Sequence, residues 1–458
     1  MGTMRRHLFT AAAVGALLGL AAGGARGETL TQALIDAYTS NPQILAERAN
    51  LRATDEGVPQ ALSGWRPTVT FTGSVGAQRI ENQPTTITTP NSKTTPKTVD
   101  LNITEPVYSG GQTEAKTKEA EKLVEAERAR NIATEEMVFL AVAQAYLDVV
   151  RDQATLDLSV NNEQVLRRQL EATDDQFRVG AVTRTDVAQA EARLAGATAS
   201  RQQAEGNLQI SRASYARAVG HVPPGRLAPP TIQPVIPATR EEALSLATFK
   251  NPSVIAGIFA EDAARNTVDA TRDQLLPQLA LVADLNRQME TEFIAHDTTV
   301  GSVVARMTVP LYQGGSIYSQ TRQAIEKVGQ SMGETDDARR AAIQGATQSW
   351  EQIVSGRAQI ISLQSTIKAS EIALDGVRQE ATVGSRTVLD VLNAEQELFT
   401  DQVSLVTAQH DLALAEFNLA DYIGRLTAAD LRLPVKLYDV DVHYRSVRDN
   451  WIGFGAKD

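Results

Sequence analysis

The sequence is written twice. The segment EPVYSGGQTEA (105–115) returns as VPLYQGGSIYS (309–319), so the pattern Pro-aliphatic-Tyr-x-Gly-Gly recurs at an offset of 204 residues. ALIDAYTSNP (33–42) matches ALSLATFKNP (243–252) at an offset of 210, as Pro67 matches Pro277. VGAVTRTDV (179–187) matches VGSRTVLDV (383–391) at 204, as Gly220 matches Gly424. One six-residue indel between Pro67 and Pro106 explains the change of offset, and the register then holds for over a hundred residues. A chain with this self-similarity folds as two copies of one unit. The Pro-rich HVPPGRLAPPTIQPVIP (221–237) reads as the connector. The units are expected at 28–230 and 231–435, followed by a tail at 436–458.

Each unit changes its hydrophobic period at the Gly-Gly. Before it the period is two. Val69, Phe71, Gly73, Val75 and Ala77 fall on one face, and Thr68, Thr70, Thr72, Ser74 and Gln78 on the other. Val99, Leu101 and Ile103 alternate with Asp100, Asn102 and Thr104, and Leu279 to Leu285 and Val303 to Val309 repeat the pattern. Such segments are strands of a hairpin, expected at 67–108 and 277–312. One wet and one apolar face fits a transmembrane barrel strand; a half-buried strand of a soluble sandwich looks the same locally. The first hairpin connection (80–98) is polar and Thr/Pro-rich, which suits an exposed loop.

After each Gly-Gly the spacing becomes helical. Phe139, Val142, Tyr146, Val149, Leu156 and Val160 follow 3-4 spacing, interrupted by Gln153. Val391, Ala394, Leu398, Leu405, Ala408, Leu412, Ala415 and Leu419 do the same, interrupted by Asp401. No Pro or Gly occurs in the 67 residues 112–178, which predicts a helix about 100 Å long. The matching run 316–382 carries several Gly and is expected to bend. Long helices are expected over 112–220 and 316–424. The hinges between strand and helix are Pro106, Tyr108, Gly110 and Gly111, and Pro310, Tyr312, Gly314 and Gly315. Glycine permits the change of direction, and the prolines, lacking an N–H, are expected to stop the strand ladder.

Residues 1–27 read as a secretory signal peptide: Arg5 and Arg6, an apolar stretch from Leu8 to Gly24, and the small-x-small site Ala25-Arg26-Gly27. The formal net charge is −11 and becomes −14 without the three Arg of this leader. An acidic chain has no general attraction to nucleic acid. There is no Cys, which removes disulfides, thiolate metal sites, Cys catalysis and a lipoprotein anchor. Aromatic residues are 5% of the chain, lean for one large globular core and suited to long helices packed through small residues. No apolar run of 18 residues follows the leader, so entry into a membrane requires a closed barrel. Four strands per chain cannot close one; several chains must contribute.

A duplicated hairpin and long-helix unit, with VGxxTxxDV at each helix turn, resembles the outer-membrane efflux (TolC) family over essentially all of residues 28–435. The resemblance implies an α+β homotrimer. Its parts are a 12-stranded β-barrel in the outer membrane of a Gram-negative bacterium and a 12-helix α-barrel crossing the periplasm. It implies an exit duct for efflux or secretion that docks to a periplasmic adaptor (a membrane fusion protein) and an inner-membrane pump of ABC, RND or MFS type. The tail YDVDVHYRSVRDNWIGFGAKD is similar to that of the type I secretion branch.

The turns can also be read directly. Gly180 and Gly384 can end the ascending helices in left-handed conformation. Thr183 with Asp186, and Thr387 with Asp390, are spaced as capping boxes. These residues therefore suffice to build two helix turns. The family adds adaptor contact by Val179, Gly180, Thr183, Val383, Gly384 and Thr387. It adds a latch in which Thr185 and Asp186 pair with Arg386, and an acidic ring at Asp390. Ala381 stands where the family's latch has Tyr, and neutral Asn393 where its second acidic ring falls, implying a looser latch and a weaker cation preference.

The sequence presents no P-loop, no Gly-x-Ser-x-Gly, no metal-ligand spacing and no cofactor motif. His221, His296, His410 and His443 are expected on solvated surface, and acidic pairs such as Glu135-Glu136 on wet helix faces. Three classes are weighed: an outer-membrane export duct, a periplasmic coiled-coil scaffold without a barrel, and an exported enzyme, for which no catalytic constellation is found.

Overall fold

The computed structural model of the protein describes residues 28–81, 92–290 and 297–454. The expected leader, the middle of the first hairpin connection and His296 lie outside the described residues. The first unit comprises α1 (Leu30–Ser40), α2 (Pro42–Asp55), α3 (Gly57–Leu62), a 3-10 turn (Ser63–Trp65), β1 (Thr68–Val75), β2 (Gln78–Ile80), β3 (Ser92–Thr94), β4 (Lys97–Tyr108), α4 (Gln112–Arg178) and α5 (Arg184–Val219). The second comprises α6 (Arg240–Lys250), α7 (Pro252–Arg272), a 3-10 turn (Asp273–Leu275), β5 (Gln278–Met289), β6 (Thr298–Thr308), α8 (Ser316–Thr382) and α9 (Val388–Tyr422), followed by α10 (Val440–Val447) in the tail. The two units follow the same order, with α2–α3 standing where the second unit has the single helix α7 and β1–β4 where it has β5–β6.

α4 and α8 each run 67 residues without interruption, about 100 Å. The glycines of α8 do not break it. One of them is a packing device: a Cβ on Gly345 would lie 2.3 Å from the Tyr422 ring of α9. The expected seam on α4 is buried, with Phe139, Val142, Tyr146 and Val149 fully covered. Both polar interruptions have partners: Gln153 Oε1 accepts the Leu227 N–H at 3.2 Å, and Asp401 accepts the Ser370 hydroxyl at 2.7 Å.

A repeated Asn-Pro splices short helices onto long ones. Asn41 Oδ1 caps α2 through the Gln43 N–H, while its Nδ2 donates to Ala218 O at the end of α5. Asn251 Oδ1 caps α7 through the N–H groups of Ser253 and Val254, and its Nδ2 donates to Tyr422 O at the end of α9. Each proline follows at the first helical position, where its missing N–H costs nothing. One amide side chain thus satisfies two helix ends, so α2–α3 and α7 extend the lines of α5 and α9 along the long helices. The stretch Arg240–Leu275 is apolar and long enough for a membrane span, but this splice divides it and α7 lies between α4 and α8.

The strands form one antiparallel sheet in the order β1-β4-β5-β6, with β2-β3 as a small separate ladder. Its cross-strand rows keep the alternation expected. Val69, Ile103, Ala283 and Val303 form one row, and Phe71, Leu101, Leu285 and Gly301 the next. On the other face Thr70, Asn102, Asp284 and Ser302 are aligned. Phe71 is 71% exposed and Val303 69%; no second sheet among the described residues covers them, so this is not a sandwich. Pro106 does not stop its ladder as expected: β4 continues to Tyr108, and the missing donor is absorbed as a register shift between the two. β6 ends before Pro310.

Two expectations about polar residues are corrected. Glu136 is buried, and with Glu135 it accepts the N–H groups of Leu426 and Ala428, fastening the connection after α9 to α4. His410 is buried beside Asp148 and Asp411, and His443 is bonded to the buried Asp55 at 2.9 Å, so neither sits on open surface.

Candidate functional site

The two helix turns lie at the end of the long helices opposite the sheet. Above them a small core of Leu166, Ala190, Ala197 and Leu392 joins α4, α5 and α9, and so ties the two units together. Each turn is a Schellman end followed by a capping box. Gly180 and Gly384 take φ of +77° and +79°. Ala181 N–H reaches back to Gln176 O at 2.8 Å, and Ser385 N–H to Glu380 O at 3.0 Å. Thr183 and Thr387 cap α5 and α9, with Asp186 and Asp390 returning the bond to their backbone N–H groups at 2.8 and 2.9 Å. These bonds hold both carboxyls below the usual range: the Thr183 hydroxyl acts first on Asp186, and the Thr387 N–H first on Asp390.

This arrangement leaves apolar and polar groups free at the tip. Val179 and Val383 are both 79% exposed, beside exposed Thr185 and Arg386. Within the chain Arg386 does not meet Thr185 or Asp186. Its Nε donates to Glu380 Oε2 at 2.9 Å on its own turn, and Asp186 is occupied by its capping box. Near the turns a side-chain hydrogen bond between the units is made by a residue that sequence reasoning missed: Arg193 Nη2 donates to Asn393 Oδ1 at 2.8 Å, joining α5 to α9. Neutral Asn393 can accept this bond, but it has no charge to fix an Arg as strongly as a carboxylate would. A second arginine, Arg378 on α8, pairs with the buried Glu395 of α9. Nothing in the spacing of residues 193 and 393 marks them as partners, because they belong to different units.

At the opposite end each strand-to-helix junction carries two glycines in left-handed conformation. Gly110, Gly111, Gly314 and Gly315 all have positive φ, from +63° to +95°. Gly110 and Gly111 also meet the second unit's 3-10 turn: a Cβ on Gly110 would lie 2.8 Å from Asp273 O and from Leu276 Cβ. Gly314 and Gly315 face open space in the chain.

A duplicated hairpin and long-helix chain, apolar on one face of its sheet and capped by paired turns at the far end, defines the class of outer-membrane channel-tunnels. The model of the outer membrane efflux protein family matches residues 33–221 and 243–425, one stretch in each unit, and the chain belongs to this family. It is 34% identical over 440 residues to the outer membrane efflux protein BepC of Brucella suis, covering 95% of this chain and 93% of that protein. It is 26% identical over 439 residues to the outer membrane protein TolC of Vibrio cholerae, covering 91% and 95%. The alkaline protease secretion protein AprF of Pseudomonas aeruginosa is 29% identical over 321 residues, 69% of this chain and 66% of that protein. The fold matches the outer membrane protein VceC of Vibrio cholerae with a TM-score of 0.77 at 20% identity, covering 86% of this chain and 96% of that one. The CmeC outer membrane channel of Campylobacter jejuni matches with 0.76 at 15% identity, covering 87% and 86%. The protein is therefore placed in the outer membrane of a Gram-negative bacterium, with its long helices in the periplasm.

Proposed function

We propose that three copies of this chain form a passive exit duct for a tripartite efflux pump or type I secretion system. The observation that carries the assembly is a mismatch between the two units. Inside the chain, the second strand of the first unit pairs with the first strand of the second, β4 with β5. The equivalent pairing, β6 with β1, is not made among the described residues, which leave both outer sheet edges bare. The hinge repeats the asymmetry: Gly110 receives the turn at Asp273, while Gly314 waits for the turn at Ser63, its counterpart at the 210 offset. A neighbouring copy supplies both. Pairing with that copy also extends β6 past Pro310 to Tyr312, as β4 runs past Pro106 to Tyr108. A ring of three such chains has twelve strands, enough to close a barrel whose apolar face meets lipid.

The turns form the periplasmic entrance. Val179, Gly180, Thr183, Val383, Gly384 and Thr387 contact the adaptor, and the energy for transport comes from the inner-membrane pump. In the closed ring Arg386 exchanges Glu380 for Thr185 and Asp186, a directional, charge-assisted latch. Exposed, each pair contributes about 0–1 kcal/mol, so the three copies together, and not any one, keep the entrance narrow. Asp390 faces the constriction and favours cations. Single-channel conductance in planar bilayers tests this reading: Arg386→Ser is expected to raise the conductance above that of the wild type. Unchanged conductance in a correctly inserted variant would remove the latch assignment.

A further inference from the structure

Away from both ends of the molecule, three side chains from distant parts of the sequence converge. They are Glu28, just before α1, Asp36 on α1, and His221, just after α5. His221 Nε2 lies 3.5 Å from Glu28 Oε1 and 3.4 Å from Asp36 Oδ2, and one ligand atom from each residue falls within 4.8 Å of the others.

We propose that Glu28, Asp36 and His221 bind a divalent transition cation of the zinc type. Three features of the site argue for it. First, tetrahedral zinc with bonds of about 2.0–2.1 Å places neighbouring ligand atoms about 3.3–3.4 Å apart, close to the two measured edges. Second, the imidazole is set in the tautomer a metal needs. Nδ1 lies 3.3 Å from Val222 O, which can only accept, so Nδ1 carries a proton and Nε2 is the ring nitrogen facing the carboxylates, where a bound cation would take the place of the proton it shares with Asp36. Third, Glu28 brings a covered carboxylate to the cluster. Its side chain is only 5% exposed and neither carboxylate oxygen has a hydrogen-bond partner. The Tyr215 hydroxyl, itself buried, lies beside this carboxylate. A covered carboxylate is costly without positive charge beside it, and a bound divalent ion would supply more of it than the His221 ring 3.5 Å away.

One imidazole and two carboxylates leave a fourth position for water, and the set suits zinc in preference to calcium or magnesium, which favour all-oxygen shells. The ion would pin the start of α1 to the end of α5. Beside it, Tyr146 Oη already bridges the carbonyls of Glu28 and Ala228, at 2.9 and 2.7 Å. The cluster therefore acts as a staple at the point where the first unit begins and its connector leaves, independent of the duct reading.

The test is metal content and affinity of the purified full-length protein without a polyhistidine tag, stripped with chelator and titrated with Zn²⁺ alone. Wild type is expected to bind one Zn²⁺ per chain and to melt at a higher temperature with the ion than without it. Asp36→Asn and His221→Ala should each weaken binding by about tenfold or more. Asp36 is half-buried and His221 exposed, and unchanged metal-free melting of the variants shows that they fold. Absence of stoichiometric zinc in the wild type, or equal affinity in wild type and both variants, overturns the site and leaves only an ion pair between His221 and its two acids.

Discussion

Substitution of Glu136 by Gln isolates the strongest electrostatic feature of the helical core. Glu136 is 1% exposed, and its Oε1 accepts the Leu426 N–H at 3.0 Å. Burial pushes its pKa up to about 9; the Leu426 N–H opposes this, and the charges of Asp421, Asp430 and Glu135 add to it. The group titrates near 4.5 when unfolded, so the native state holds this proton more tightly. Its contribution to stability is then complete below about pH 4.5 and is lost as pH rises toward 9. A shift of this size at 1.36 kcal/mol per unit sets an upper bound of about 6 kcal/mol. The adjoining cavity of about 600 Å³, lined by Glu136, Asp421 and Glu47, lets water relax the site. A few kcal/mol is the working figure. Gln keeps an oxygen for Leu426 and removes the titration. Thermal midpoints of both proteins, measured in one detergent from pH 5 to pH 9, should diverge: wild type falls steeply, Glu136→Gln much less. Parallel curves would show that Glu136 is not held protonated, and would refute the reasoning.

Two further outcomes follow from the hinges and the sheet edges. Gly110→Ala and Gly180→Ala share the cost of a left-handed alanine, about 1–2 kcal/mol. Gly110→Ala also collides with Asp273 and Leu276, adding about 1–3 kcal/mol, so it should lower the thermal midpoint clearly more; equal losses would contradict the hinge packing. Because the chain has no Cys, a pair introduced at Thr72→Cys and Thr308→Cys reports on edge pairing alone. Oxidation should give covalent trimers on denaturing gels, and only monomers would contradict the β6–β1 closure.

Much of this structure was legible because the duplication and local rules speak through short-range spacing. The 67-residue helix was bounded by the absence of Pro and Gly, and the capping boxes by Thr-x-x-Asp. What stayed hidden depends on partners hundreds of residues away. Glu135 and Glu136 resemble a solvated pair until residues 426–428 bring their N–H groups to them. His443 is drawn from the surface by Asp55, and Arg193 finds Asn393 only when the two units fold against each other. The Asn-Pro repeat was visible as a repeat, but its second task, capping the preceding helix through Nδ2, required the end of α5 or α9 to be in place. Pro106 and Pro310 read alike in sequence and differ in the chain because only the first has a neighbouring strand beyond it.

The central claim is that one chain is a third of a channel. The native mass of the protein extracted from outer membranes in mild detergent tests it most directly. The account predicts three chains per particle, with the bare edges of β1 and β6 paired between copies. A monomer in the same preparation, or recovery of the protein in the soluble fraction, would contradict it.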